Sequence, residues 1–214
     1  MFGSIAALHP INAHLIICVA VSWAFVFGIS GGLAGVQARL DLFGVGVIAA
    51  IVGLSGGVLR DVLLGTKPIV VFDWRVVISV MGAAIVSYVF RGRLVDWKDS
   101  VEVFDAIGLS LFCVIGTYIS LQDHSGPIPA IILGTITAIG GGIVRDILLR
   151  QIPAVLREGL YAIPALLGAT VVVVGYEFEI ATLAWYGLAA GSCLLVRIVG
   201  MVFHINLPVA AHPS

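Results

Sequence analysis

The sequence predicts an all-α integral membrane fold: seven transmembrane helices, arranged as two inverted three-helix repeats plus one C-terminal helix, with the second and fifth helices kinked at paired glycines. Three observations predict it. The composition is 60% hydrophobic and 11% charged, with a mean hydropathy of +1.15, against roughly 45 to 50% apolar and about 25% charged in an ordinary soluble domain. The apolar residues gather into seven stretches bounded by charged or turn residues. One thirteen-residue segment, GGVLRDVLLGTKP at 56–68, recurs as GGIVRDILLRQIP at 141–153.

The seven stretches run over 15–36, 42–59 continuing to 66, 74–90, 103–122, 127–149, 159–176 and 180–203. A bilayer core about 30 Å thick needs roughly 20 apolar residues per helix, so each stretch approaches the length of one span and the 214 residues leave no room for a soluble domain. Arg39 with Asp41, Lys67 with Pro68, RGRLVDWKDS, QDHSGP, Arg157 with Glu158, and YEFE mark where the backbone meets water between spans. Residues 1–214 form a single membrane domain, divided into a first repeat at 12–98, a second at 99–177 and a last helix at 178–203. The first fourteen residues contain neither Lys nor Arg, so the basic start of a cleaved signal peptide is missing and the first stretch is expected to remain as a span.

Basic residues give the orientation, because Lys and Arg in short loops stay on the cytoplasmic side. Loops after the first, third and fifth spans hold Arg39, Arg91, Arg93, Lys98, Arg150 and Arg157, whereas those after the second, fourth and sixth hold Lys67 and, at a helix edge, Arg75. The N-terminus is expected outside and the C-terminus in the cytoplasm.

An offset of 85 residues lays Gly56, Gly57, Arg60, Asp61, Leu63, Leu64 and Pro68 on Gly141, Gly142, Arg145, Asp146, Leu148, Leu149 and Pro153. The same offset pairs Phe27 with Phe112 and Gly31 with Gly116. It carries the first three spans onto the next three, and three is odd, so the second copy must enter the membrane from the opposite side. Inverted repeats built around interrupted helices are a recurring plan of transport proteins, with the site near the midplane where the copies meet.

Two adjacent glycines weaken a helix, each by roughly 1 kcal/mol relative to Ala. A bend at Gly56–Gly57 and at Gly141–Gly142 would free backbone carbonyls, which are natural ligands for a partly dehydrated cation. The glycines of GISGGLAG, Gly28, Gly31, Gly32 and Gly35, have the spacing of helix packing or oligomer contacts instead. Arg60, Asp61, Arg145 and Asp146 read either as pore-lining or gating charges or as residues that staple a helix end at the interface. Adjacent helical residues point about 100° apart, so each of these charges is expected to need a partner beyond its neighbour. Ser55, Thr135 and Thr137 are candidate hydroxyl ligands along the same helices. Asp105 faces Ala20 under the offset and reads as an entrance or interfacial charge, and Pro68 and Pro153 as stop signals.

A net charge of −1 gives no reason to propose nucleic acid as a partner. GGVLRD is neither a dinucleotide fingerprint nor a P-loop, and HExxH, GxSxG and TVGYG are absent, so no enzyme chemistry or tetrameric potassium filter is visible. Cys18, Cys113 and Cys193 stand alone in apolar stretches and are expected to be small buried hydrophobes. No cofactor or metal is called for.

The duplicated GG(V/I)(L/V)RD(V/I)LL...P in seven spans closely resembles the prokaryotic members of the trimeric intracellular cation (TRIC) channel family, related to small bacterial membrane proteins whose repeat is labelled a glycine-transporter domain. The likeness covers 12–203. It implies a homotrimer in the lipid of a prokaryotic inner membrane, a pore in each protomer kinked at Gly56, Gly57, Gly141 and Gly142, charged pore-region candidates Arg60, Asp61, Arg145 and Asp146, and permeating monovalent cations, chiefly potassium, with sodium. The lysine-glutamate-valine signature of the animal members is missing here. A secondary transporter of a small amino acid such as glycine, and a scaffold that transports nothing, are the alternatives.

Overall fold

The computed structural model describes residues 13–92, 99–157 and 160–205. Arg93, Lys98 and Glu158, and the expected limits of the first repeat at 12 and 98, lie outside them. The described residues form helices α1 (Ala13–Gln37), α2 (Leu42–Leu63), α3 (Ile69–Phe72), α4 (Trp74–Val89), α5 (Ser100–Gln122), α6 (Pro127–Leu148), α7 (Ala154–Arg157), α8 (Ala162–Glu177) and α9 (Leu183–Val202).

Every predicted stretch is occupied by a helix, and five helices, α1, α2, α5, α6 and α9, are long and apolar enough to cross a membrane. The other two, α4 and α8, have 16 residues each, about 24 Å at 1.5 Å per residue. Each follows a single-turn helix, α3 or α7. Pro68 and Pro153 therefore begin these turns as well as following a helix end: their carbonyls accept from Val71 N at 3.2 Å and Leu156 N at 2.9 Å.

Local chemistry fixes the helix ends. Asp41 caps α2 by accepting from Gly44 N at 2.7 Å, Asp73 caps α4 through Arg75 N at 2.9 Å, and Thr182 caps α9 through Trp185 N at 3.3 Å. α6 starts from Gly126, at φ 83°, with Pro127 as its first residue. The ends of α2 and α6 match bond for bond. Leu64 N donates to Arg60 O, Gly65 N to Val62 O and Thr66 N to Asp61 O; 85 residues later Leu149, Arg150 and Gln151 N donate to Arg145, Ile147 and Asp146 O.

The offset also relates contacts. Phe27 of α1 and Phe112 of α5 meet at 5.2 Å between ring centroids. A Cβ on Gly31 would lie 2.7 Å from Val52, and one on Gly116 would lie 2.6 Å from Thr137. A Cβ on Gly28 would lie 3.0 Å from Ala83, while one on Gly168 would lie 2.8 Å from Cys113. In both cases the second pair is the first moved on by 85 residues. α1 packs on α2 and α4 as α5 packs on α6 and α8, and α1 against α5 and α2 against α6 join the two halves. α9 lies against α5 and α8.

The outward surface is apolar. On α4, Ile78, Met81, Ile85 and Val89 stand exposed at helical spacing, as a lipid-facing or subunit-facing stripe requires. Cys113 and Cys193 are buried, but Cys18 is exposed, which corrects the expectation for it. An apolar neighbourhood in a membrane helix includes the lipid face, so it does not imply burial.

Candidate functional site

Glycine brings the two duplicated segments together. A Cβ on Gly56 would strike the carbonyl oxygen of Thr137, and one on Gly141 would strike the Phe27 ring and approach Val52 O at 2.7 Å. A Cβ on Gly140 would lie 3.5 Å from Gly56 Cα. Gly57 and Gly142 are buried with them. Backbone therefore meets backbone where α2 crosses α6, with the Phe27–Phe112 pair beside the crossing. Both glycine pairs lie within continuous helices, α2 and α6. Loss of the Cβ here permits the close approach of the two backbones.

Gly28, Gly31, Gly32 and Gly35 face α2, α4 and the turn between α1 and α2 of the same chain, against Ala83, Val52, Ser87 and Val45. Their small-residue face is consumed inside the protomer. Ser55 donates to Val52 O at 3.5 Å, Thr135 to Ile131 O at 2.8 Å and Thr137 to Leu133 O at 2.6 Å, so their hydrogens go to their own helices while the oxygens keep acceptor capacity.

Arg60 and Asp61 are buried, at 4% and 2% exposure, in the last turn of α2. The Arg60 Nε and Nη2 both donate to Asp61 Oδ1, at 2.8 and 2.6 Å. Arg145 Nε likewise donates to Asp146 Oδ1 at 2.9 Å. Neighbours in sequence do pair, which corrects the expectation that adjacent positions point too far apart to meet, while the expected partner beyond the neighbour is present for Arg145 and Asp146. The guanidinium stem is long enough to fold back across the 100° between adjacent positions. A cation in the last turn also complements the carbonyl end of the helix dipole.

The second copy carries more. Arg145 Nη1 donates to Asp105 Oδ1 of α5 at 2.6 Å and to Ser30 Oγ of α1 at 2.9 Å, while Asp146 Oδ2 accepts from Ala154 N at 2.8 Å. Asp105 is 1% exposed and belongs to a buried ion-pair network, where a charge is retained only with partners. Under the offset, Ser30 and Asp105 correspond to Ile115 and Ala20, and Arg60 has no such neighbours.

A polar cavity of about 220 Å³ adjoins this network, with Asp105, Arg145, Asp146, Tyr161 and Arg197 in its wall and Gln37, Glu102 and Arg157 around it. Arg197 of α9 is buried, places its guanidinium 4.6 Å from the Tyr161 ring centroid and donates from Nη1 to Leu160 O at 3.0 Å. Sequence reasoning missed Ser30, Tyr161 and Arg197. A lone arginine deep in the last apolar stretch was the available signal for Arg197. A second cavity, of about 320 Å³, is apolar and lies between α1, α5 and α9, beside Trp23, Ile115, Tyr118 and Tyr186. Ser55, Thr135 and Thr137 line neither cavity. Among the described residues, no group of three or more His, Cys, Asp or Glu is placed to hold a metal ion.

Comparison with known proteins bears on the whole of this arrangement. The family model described as Glycine transporter matches residues 13–92 and 102–177, the two halves in turn. The UPF0126 inner membrane protein YadS of Escherichia coli is 33% identical over 193 residues, covering 87% of this chain and 91% of that protein. A UPF0126 membrane protein of Streptomyces coelicolor is 42% identical over 195 residues, covering 90% and 89%. Among solved structures, the TRIC trimeric intracellular cation channel orthologue from Rhodobacter sphaeroides superimposes with a TM-score of 0.84 at 31% identity, over 89% of this chain and 99% of that one.

Proposed function

The chain belongs to the Glycine transporter family of membrane proteins and is related to the TRIC channels, and from that premise we propose that it is a passive channel for monovalent cations, chiefly potassium. The protomers assemble as a homotrimer, each with its own path. Each consists of two inverted three-helix repeats, α1, α2 and α4 against α5, α6 and α8, with α9 added. The two 16-residue helices cross the membrane with the five longer ones, the N-terminus lies outside and the C-terminus in the cytoplasm.

The observation that carries this reading is the crossing of α2 and α6. Polar groups buried at the ends of both helices, Arg60–Asp61 and Arg145–Asp146, flank a glycine contact in which the helices touch through backbone. The polar cavity leads to Arg145 from one side. The two backbones are in contact there, and bending at Gly56–Gly57 and Gly141–Gly142 would part the helices beside Phe27 and Phe112. Freed carbonyls, with the oxygens of Ser55, Thr135 and Thr137, would then replace part of an ion's hydration shell. The solved relatives described as cation channels support the choice of ion.

A second reading, secondary transport of a small amino acid such as glycine, is favoured by the description of the family model itself. Planar-bilayer recording of the purified protein under a potassium gradient separates the two. A channel shows unitary current steps that reverse at the potassium equilibrium potential. Absence of steps, together with counterflow of labelled glycine in proteoliposomes, would establish the carrier instead.

A further inference from the structure

We infer that the apolar cavity between α1, α5 and α9 is a slot for one acyl chain of a phospholipid whose head group carries an ammonium, such as phosphatidylethanolamine, held in the leaflet where α1 begins. The inference goes beyond the proposed function and holds for a channel and for a carrier alike.

A contrast in side-chain size makes the slot. Trp23 of α1, Ile115 and Tyr118 of α5 and Tyr186 of α9 stand along it, while α9 presents the small Gly187 and Ala190 between them. A Cβ on Gly187 would meet nothing within 4 Å, so the space beside the helix is open there. The volume of about 320 Å³ lies at the low end of small-molecule sites, which run from about 300 to 1,000 Å³.

The slot runs along the helices. Its α5 wall extends from Leu111 to Tyr118 and its α9 wall from Leu183 to Ala190, each about 10 Å at 1.5 Å per residue. Tyr118 lies one turn before the end of α5 at Gln122, and Leu183 is the first residue of α9. The rings of Tyr118 and Tyr186 meet edge on at 5.6 Å between centroids, and Tyr176, near the end of α8, neighbours Tyr186. The slot therefore descends from the helix ends about a third of the way into a 30 Å hydrocarbon core, as the upper part of an acyl chain does. Its mouth is a tyrosine cluster, the residue type that gathers at the level of lipid head groups.

Charge at the mouth selects the head group. Asp123 follows α5, Glu177 ends α8 and Glu179 stands in the turn toward α9, all three exposed. The segments that bring α1, α5, α8 and α9 to this level, 13–23, 118–129 and 176–186, contain no Lys or Arg. An acidic rim without a basic residue attracts an ammonium and repels a head group of net negative charge.

The test reconstitutes the protein in vesicles of equal parts phosphatidylethanolamine and phosphatidylglycerol, extracts it in mild detergent and counts retained lipid by native mass spectrometry. The wild type should keep one phosphatidylethanolamine per protomer. Gly187→Leu places a side chain in the slot and should lower that occupancy about tenfold, the loss expected when two methylenes are displaced. Gly191→Leu, at a position equally open but outside the slot, should keep it. The double variant Glu177→Gln, Glu179→Gln leaves the slot intact and should retain both lipids alike. Equal retention of the two lipids by the wild type overturns the inference, as does an occupancy that Gly187→Leu leaves unchanged. An oligomer that falls apart in Gly187→Leu while its lipid count holds also overturns it, because the slot is then a contact between copies of the chain.

Discussion

The two duplicated helix ends share a backbone and differ in their company. Arg60 and Arg145 occupy the same place in the last turn, and each folds back onto the aspartate that follows it. Among the described residues Arg60 donates to Asp61 alone, a neutral pair. Arg145 holds two carboxylates and a serine, drawn from α6, α5 and α1. The difference lies in what the rest of each repeat offers, Ala20 and Ile115 in one case and Asp105 and Ser30 in the other, with α9 bringing Arg197 only to the second. Duplication therefore preserves the geometry of a charged helix end while leaving its electrostatics free to diverge. One guanidinium holds a single carboxylate and the other holds two.

The largest effect tests that contrast directly. Removing one partner of a buried pair leaves an uncompensated charge and costs about 3 to 5 kcal/mol. Asp61→Ala strands Arg60 and should reach that range, whereas Asp146→Ala leaves Arg145 paired with Asp105 and should cost clearly less. Thermal unfolding of both variants in detergent orders them, and equal losses would erase the distinction between a single and a shared partner.

Next come the glycines that place the two ends against each other. Gly56→Ala and Gly141→Ala each press a Cβ onto backbone, Thr137 O in one and Val52 O in the other, where no side chain can yield. Overpacking of this kind costs about 1 to 3 kcal/mol. Both should lower the unfolding temperature and, if the crossing of α2 and α6 is the closure, lengthen open times in bilayers by wedging the helices apart. Gly46→Ala is the control, because nothing lies within 4 Å of a Cβ there. It should be neutral or gain up to about 1 kcal/mol from helix propensity.

A smaller effect isolates the part of the second cluster that comes from the first repeat. Ser30→Ala removes an acceptor at 2.9 Å from Arg145 Nη1 while Asp105 and Asp146 remain. The loss should be about 1 kcal/mol, the net contribution of one hydrogen bond whose donor keeps other partners. Unfolding midpoints measure it, and a loss as large as that of Asp61→Ala would mean that Ser30 organises the cluster.

How much of this was legible in the sequence follows the same division. The helices could be read because charge is excluded from lipid, and the correspondence of Phe27 with Phe112 because the offset survives in the letters, although the letters do not say that the two rings meet. Asp105 was visible as a charge, but its pairing with Arg145 was not, because a repeat shows only what is shared and its counterpart is an alanine. Tyr161 and Arg197 come from segments brought together by packing, which no spacing encodes. The glycine pairs were visible, but a missing Cβ looks alike whether it serves a bend or a close approach. The self-pairing of Arg60 was misjudged because helix geometry fixes Cβ directions and says little about where a long side chain ends.

The finest difference between the two ends lies one turn further on. Gly65 and Arg150 occupy the same left-handed position after their helices, at φ 70° and 57°, and their amides close the same turn. Glycine adopts that conformation without strain, whereas an L-residue with a Cβ does so at a cost of about 1 kcal/mol. Arg150→Gly should therefore raise stability by up to about 1 kcal/mol, and Gly65→Ala should lower it by a similar amount. If Arg150→Gly instead destabilises, the arginine has a partner in the assembled protein that outweighs its backbone strain. Repeating the unfolding measurement on cross-linked oligomer and on dissociated protomer would place that partner inside the chain or on a neighbouring copy.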